Sequence, residues 1–286
     1  MLAARPKTLP AAVAPVIVGS AMAYAHKSFA LLPAICALAV ALLLQIGVNL
    51  ANDYFDCIKG VDAEDRLGPL RITQSGLKSP AQVKTAMNIT FALALLPGFY
   101  LIKVGGWPVV FMGAASIMAA LAYSGGPYPL ASHGLGDLFV FIFFGLVAVG
   151  GTYYVQALHL TPMVLVTGAI VGLMITAILV VNNLRDIQTD LRAGKRTLAV
   201  MIGSRATKLE YSLLHASAYI LPIAIWLSGL TEVFILLPLV SLPWAIPLNR
   251  TIWKDLDGAI LNQALAGTAR LALIFSFSLS IGLILS

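Results

Sequence analysis

Residues 42–56 read LLLQIGVNLANDYFD and residues 175–190 read ITAILVVNNLRDIQTD, so an apolar run leads twice into Asn-x-x-x-Asp. If both runs are helical, Asn49, Asn52, Asp53 and Asp56 fall at i, i+3, i+4 and i+7 and share a face. Asn182, Asp186 and Asp190 stack in the same way at i, i+4 and i+8. Two oxygen-rich faces at the polar ends of long apolar segments point to a helical bundle that carries acids to one membrane surface. The short match between the two stretches predicts pseudo-symmetric halves facing each other across a central cavity.

Composition makes those acids informative. The chain has 286 residues, 59% of them hydrophobic and 10% charged, with a mean hydropathy of +0.92, whereas a soluble domain is about a quarter charged. A helix needs roughly 20 apolar residues to cross a bilayer, and about nine segments qualify, near 9–26, 29–51, 82–102, 107–123, 137–158, 162–183, 209–228, 232–249 and 264–285. The expected fold is an all-α integral membrane protein: a nine-transmembrane-helix bundle with a central cavity open to the cytoplasmic side, in one domain over residues 1–286. Ala21-Met22-Ala23 resembles a signal-peptide cleavage site, but no exported domain follows, so the first segment is read as a span.

The net charge of +6 raises the question of nucleic acid, but no basic patch interleaved with aromatics accompanies it. Membrane orientation explains the bases better. Of the 18 Lys and Arg, only Lys27 and Lys103 fall in odd-numbered loops; the rest gather at the amino terminus and in the loops after spans two, six and eight. The positive-inside rule then puts the amino terminus and both acidic motifs in the cytoplasm, the carboxyl terminus outside, and the chain in the cell's inner (cytoplasmic) membrane.

Cys36 and Cys57 stand 21 residues apart, roughly 30 Å on a continuous helix, and cannot pair. The four histidines are scattered, so neither zinc nor haem is expected. Hard oxygen donors select Mg²⁺, which binds through one or two carboxylates and substrate phosphates. Beside the acids stand Lys59, Arg66 and Arg71 in the first loop and Arg185, Arg192, Lys195 and Arg196 in the second, a set suited to clamping a diphosphate as it leaves. The bland reading is salt-bridged loops at headgroup level. It suits any single residue better than the constellation, because clustered carboxylates repel one another without a compensating cation.

On these residues the chain resembles the UbiA superfamily of membrane prenyltransferases, and within it the 1,4-dihydroxy-2-naphthoate polyprenyltransferase branch. The matching stretches are Arg5 to Pro10, Asn52-Asp53-Tyr54-Phe55-Asp56 through Asp62 to Pro69, Gly125-Gly126-Pro127-Tyr128-Pro129, Gly134-Leu135-Gly136-Asp137, Gly151-Thr152-Tyr153-Tyr154-Val155-Gln156, and Asn182 to Leu198. They span most of the chain, and their joint occurrence is specific where either aspartate motif alone is only suggestive. The resemblance implies Mg²⁺ held by Asn52, Asp53, Asp56, Asn182, Asp186 and Asp190. It implies polyprenyl diphosphate and 1,4-dihydroxy-2-naphthoate as substrates, a lipid bilayer as surroundings and no nucleic acid. The prenyl group takes the place of the ring carboxylate, which leaves as CO₂.

The same likeness assigns roles. Asp62 is a further ligand or proton acceptor, and Arg66, Arg71 and Lys195 act on the diphosphate. Lys59, Arg185 and Arg196 hold the substrate. Tyr123, Tyr128, Tyr153 and Tyr154 could shield an allylic cation with their faces, Tyr153 being preferred for its place in the Gly-Thr-Tyr-Tyr match. One departure sets the branch. The 4-hydroxybenzoate enzymes carry Tyr-Pro-x-x-Lys-Arg, but here Tyr128-Pro129 runs into Leu130-Ala131-Ser132-His133. Neither cation is present, which argues against a benzoate acceptor and leaves Lys195 to bear more of the anion.

The isoprenoid tail needs an apolar route open to lipid, and the small residues in Phe111-Met112-Gly113-Ala114-Ala115 and Phe144-Gly145-Leu146 suit either such a cleft or ordinary helix packing. The competing class is a secondary transporter. Its sites usually lie near the bilayer midplane on broken helices, whereas these acids lie at helix ends.

Overall fold

The computed structural model describes residues 5, 8–60, 72–73, 75–254 and 257–286. Ten α-helices follow in order: α1 Pro10–Ala25, α2 Leu31–Ile58, α3 Pro80–Gly105, α4 Trp107–Ser124, α5 Gly136–Val140, α6 Ala148–Ala157, α7 Pro162–Arg192, α8 Leu198–Leu227, α9 Leu242–Lys254 and α10 Gly258–Leu285. A π-helical turn, Phe141–Val147, joins α5 to α6 into one passage, and a 3₁₀ stretch, Val233–Ser241, leads into α9. Among the described residues there is no strand.

Seven of these passages are long and apolar enough to cross a membrane. This is an all-α, multi-pass membrane bundle. The other two expected spans fall on α1, which has 16 residues, and on α8, whose first half carries Arg205, Lys208 and Glu210. The helix boundaries also differ from the hydropathy reading. α2 runs on to Ile58 and α7 to Arg192, so the acidic motifs are helical and project past the apolar segments on rigid elements.

Local chemistry starts the helices where they start. Ser79 and Gln82 form a capping box before α3, with Pro80 in its first turn. Thr161 caps α7 through the Val164 N–H, and Thr197 caps α8 through the Val200 N–H. Gly203 holds φ 79° and ψ 166° inside α8 and breaks its axis; an L side chain there would be strained.

The main core joins α1, α6, α7, α8 and α10 around Val18, Met22, Tyr153, Ile170, Met174 and Phe275, all at most 1% exposed. The π turn meets α7 backbone to backbone. A Cβ added at Gly145 would stand 2.7 Å from both the Gly168 carbonyl oxygen and the Gly172 Cα. Gly145 thus forms a packing seam, while Phe144 beside it lines a cavity. Phe111-Met112-Gly113 went the other way, because Met112 and Gly113 line a cavity.

Candidate active site

That cavity has a volume of about 1130 Å³ and is walled by α1 to α7, with Asn262 and Leu265 of α10 closing one side. It reaches from Ala37 to Asp56 along α2, roughly 28 Å at 1.5 Å per residue. Its far end is apolar, with Ala37, Leu101, Val109 and Val155 forming a small cluster. Its near end is polar. Asn49, Asn52 and Asp56 enter from α2, Asn182, Asp186 and Asp190 from α7, and Lys195 from the loop before α8.

Each polar side chain at this mouth is already held. Asp56, 5% exposed, accepts from Lys195 Nζ at 2.8 Å. The Lys195 backbone N–H donates to the Asp190 carbonyl and the Arg196 N–H to that of Ser132, which fixes the Lys195 loop against the segment after α4. Asn52 Oδ1 accepts from the Ser124 hydroxyl at 2.6 Å, and Lys59 Nζ donates to the Ser124 carbonyl at 2.7 Å. Partial desolvation of the Lys59 ammonium lowers its pKa from the ordinary lysine value; the Asp56 charge opposes that shift and the Lys195 charge adds to it. Thr8 accepts from Gln45 Nε2 at 3.2 Å and from Asn49 Nδ2 at 3.0 Å, stitching the amino-terminal segment to α2.

Arg185 is the most committed of the cations. It is 5% exposed and donates Nε and Nη2 to the two oxygens of Asp186, at 2.7 and 2.6 Å. Nη2 also donates to Asn182 Oδ1 at 2.9 Å, and Nη1 to Asn262 Oδ1 at 2.7 Å.

Asp53 and Tyr153 are the first of several expected site residues that lie outside the cavity lining. Asp53 does not line the cavity; it is 3% exposed and its carboxylate accepts from the Ile72 N–H at 3.0 Å and from the Thr73 hydroxyl. It anchors the segment after α2, on the flank of the helix turned from the cavity. Tyr153 is fully buried in the main core, and its hydroxyl sits 2.7 Å from His26 Nδ1 and 3.1 Å from His159 Nε2. His159 Nδ1 faces the Ala157 carbonyl at 2.8 Å and must carry its proton there, so Tyr153 donates to Nε2 and accepts from His26. Its neighbours Gly151, Thr152 and Val155 take the cavity face instead.

Tyr154 turns its hydroxyl to the Gly105 carbonyl, and Tyr128, 57% exposed, stacks on His133 with ring centres 3.6 Å apart. Of the four tyrosines only Tyr123 lines the cavity. Arg196 is exposed and outside the lining, while Asp62, Arg66 and Arg71 lie outside the described residues.

Aromatic faces in the cavity come from Phe139 and Phe143, to which the sequence reading gave no role, and from Phe144, which it read with Gly145 as suiting a cleft or packing. Phe139, Phe143 and Phe144 line it, the first two stacked with centroids 5.9 Å apart. An i, i+4 phenylalanine pair in an apolar span reads as packing, so only the fold separates the two uses. Asp137 was also passed over. It is 6% exposed, and among the described residues neither oxygen meets a partner beyond its own backbone N–H. It follows Gly136, whose added Cβ would stand 3.3 Å from the Tyr123 hydroxyl.

The donors at the mouth are all oxygens, as a hard divalent cation prefers. Among the described residues no three His, Cys, Asp or Glu side chains converge closely enough to hold a metal by themselves. The two halves suit a metal that completes its shell with phosphate oxygens and water.

A model of the UbiA prenyltransferase family matches residues 12–278. The chain belongs to the UbiA prenyltransferase family. It is 37% identical to a 1,4-dihydroxy-2-naphthoate octaprenyltransferase of Escherichia coli, over 99% of this chain and 94% of that one. It is 44% identical to the Mycobacterium tuberculosis protein of the same description, over 79% and 77%. Among solved structures, an apo UbiA homolog from Aeropyrum pernix K1 aligns with a TM-score of 0.70 at 17% identity, covering 93% of this chain and 96% of that one. A UbiA homolog from Archaeoglobus fulgidus, bound to GPP and Mg²⁺, aligns at 0.63 and 15%, covering 98% and 100%. The fold and the enzyme class of this UbiA-family chain are thereby fixed: it is a prenyltransferase.

Proposed function

We propose that this UbiA-family chain, as a single prenyltransferase domain, transfers a polyprenyl group from polyprenyl diphosphate to 1,4-dihydroxy-2-naphthoate. CO₂ and diphosphate leave, and demethylmenaquinol, a menaquinone precursor, is formed. One observation carries the reading: a single cavity, roughly 28 Å from end to end along α2, joins an apolar channel to a mouth bearing two acidic sets and Lys195. A lipid chain ending in a diphosphate has that shape and polarity. The octaprenyltransferase relatives supply the acceptor, and the absence of the Lys-Arg pair at Ser132-His133 agrees with them.

Asn52, Asp56, Asn182, Asp186 and Asp190 would hold Mg²⁺ with the diphosphate, and the ion, when bound, supplies Lewis-acid charge to the leaving group. Lys195 and Lys59 add fixed positive charge at the mouth, where negative charge grows as the prenyl C–O bond breaks and its electron pair goes to the diphosphate. Phe139, Phe143, Phe144 and Tyr123 line the adjoining wall, exclude water and offer π faces to the positive allylic carbon. The electron-rich ring carbon that bears the carboxylate then bonds to that carbon. Cleavage of its bond to the carboxylate returns the pair to the ring and frees CO₂.

The same reading puts the amino terminus and the mouth at the cytoplasmic face of the inner membrane, with nine passes and an external carboxyl terminus, on the distribution of Lys and Arg. The test is carboxyl-labelled 1,4-dihydroxy-2-naphthoate with detergent-solubilised protein, where there is no compartment for transport. Label should leave as CO₂ in step with prenyl diphosphate consumption and only with Mg²⁺. Label retained in the product, or 4-hydroxybenzoate as the clearly better acceptor, would sink the naphthoate assignment.

A further inference from the structure

The acidic mouth contains its own cation. Asp186 and Asn182 are two of the α7 donors that a metal would use, yet both Asp186 oxygens and Asn182 Oδ1 are taken by Arg185. The ion pair is closed to solvent, with the Arg185 side chain 1% and the Asp186 side chain 7% exposed. Its third partner, Asn262, belongs to another helix, α10, and lines the same cavity. On the α2 side Lys195 neutralises Asp56 in the same manner, but from a partly buried loop position.

We infer that Arg185 is an internal counter-ion for the α7 acidic set, anchored by Asn262 of α10, and that it gives up Asp186 and Asn182 only when a divalent cation arrives together with a diphosphate. A buried carboxylate without a cation is costly, so the guanidinium offsets that cost and holds Asp186 in place between turnovers. A bare divalent ion must displace a bidentate, desolvated pair and then, among the described residues, finds no group of three carboxylate, His or Cys side chains to hold it. A metal–diphosphate complex brings its own oxygens for the metal and offers the displaced guanidinium a new anion. Asn262 keeps hold of Nη1 meanwhile, so Arg185 pivots toward the diphosphate instead of leaving the mouth. Asn262 is thus a positioning residue that acts through Arg185. Occupancy by metal alone is disfavoured, and diphosphate binding is tied to metal binding.

This inference rests on the metal–diphosphate site proposed above, and its test reads binding and not turnover. Mn²⁺ binding to the detergent-solubilised chain would be followed by electron paramagnetic resonance, with and without inorganic pyrophosphate. The parent should bind Mn²⁺ weakly alone and at least ~10-fold more tightly with pyrophosphate. Arg185→Met should tighten binding of Mn²⁺ alone by at least ~10-fold, a floor below the ~10³-fold that one competing charge near 4 Å represents at an effective dielectric near 20, and should shrink the pyrophosphate effect. An Mn²⁺ affinity within twofold of the parent, in a monodisperse variant, would overturn the inference. Should Arg185→Met not fold, Asn262→Leu asks the same question, since it frees the anchor and leaves the ion pair; Mn²⁺ affinity must rise there too, and no rise overturns the idea. If neither parent nor variant binds Mn²⁺ even with pyrophosphate, the underlying metal site fails and the inference with it.

Discussion

Lys195→Met tests the catalytic reading of the mouth most directly. The Lys195 side chain is 19% exposed and lies 2.8 Å from Asp56, itself at the polar end of the cavity. A full charge about 4 Å from a departing oxyanion, at an effective dielectric near 20, contributes roughly 4 kcal/mol. Asp56 already cancels part of that field, and its release on mutation lets a divalent cation take over some of the lysine's work. The loss should therefore fall at roughly 3–4 kcal/mol, about 10²–10³ in kcat, the range found when one preorganised donor to a developing charge is removed. KM should move much less, because the interaction strengthens as the leaving group gains charge. Turnover of a labelled polyprenyl diphosphate with 1,4-dihydroxy-2-naphthoate at saturating Mg²⁺ measures both. Arg196→Met is the internal control: its side chain is exposed and outside the lining, and only its backbone is used, so activity should stay within about fivefold of the parent on the usual scale of surface changes. If Lys195→Met stayed within a few-fold of the parent, Lys195 would be no more than the counter-ion of Asp56.

Asp56→Ala should lower turnover by about 10² or more, while Asp53→Ala should chiefly lower thermal stability, by about 1 kcal/mol for each hydrogen bond lost to Ile72 and Thr73; equal activity losses with no stability change in Asp53→Ala would return Asp53 to the metal set. Tyr153→Phe should keep near-parental activity and melt earlier, by about 1–2 kcal/mol of lost hydrogen bonding to His26 and His159. A drop in kcat without a change in melting would mean that the hydroxyl reaches the chemistry after all. A reporter fused after Ser286 should read as external, and a cysteine label at Ser75 as cytoplasmic, from the bias of Lys and Arg between loops. A cytoplasmic carboxyl terminus would refute the nine-pass count, with the 16-residue α1 the first suspect.

The membrane bundle was legible because hydropathy is a property of whole segments, and an error of a few residues leaves the helix in place. Of the candidate site, what was legible is that α2 and α7 bring their acids together. Side-chain direction was not, and Asp53 shows why. At about 100° per residue, Asp56 lies about 20° from Asn49 on the α2 wheel, Asn52 about 60° away on the same side, and Asp53 about 40° away on the other. All four fit within one broad face, so the period alone cannot say that the cavity takes one flank and the loop at Ile72 the other. Tyr153 failed for a related reason: a motif match names a residue without its rotation, and one position, or about 100°, separates it from the cavity-facing Thr152. Asn262 left no signal at all, since a single asparagine early in an apolar helix could as well be an interfacial residue.

The rule that predicted a metal also predicts what stands at the mouth without one. Clustered carboxylates demand positive charge, and the sequence offered two sources, a divalent ion or the chain's own Arg and Lys. On the inference above, both answers hold at different moments of one cycle. Arg185 against Asp186 and Lys195 against Asp56 satisfy the acids from within, so the apolar cavity behind them can exist without an uncompensated charge at its entrance. The two pairs differ in depth, and that difference sets an order. Lys195 hangs from a loop and can swing from Asp56 to a phosphate at little cost, whereas Arg185 donates four hydrogen bonds to three residues and yields last. Engagement of the diphosphate would then begin on the α2 side of the mouth and finish on the α7 side, and the second acidic set would close on the substrate only once its head group is already in place.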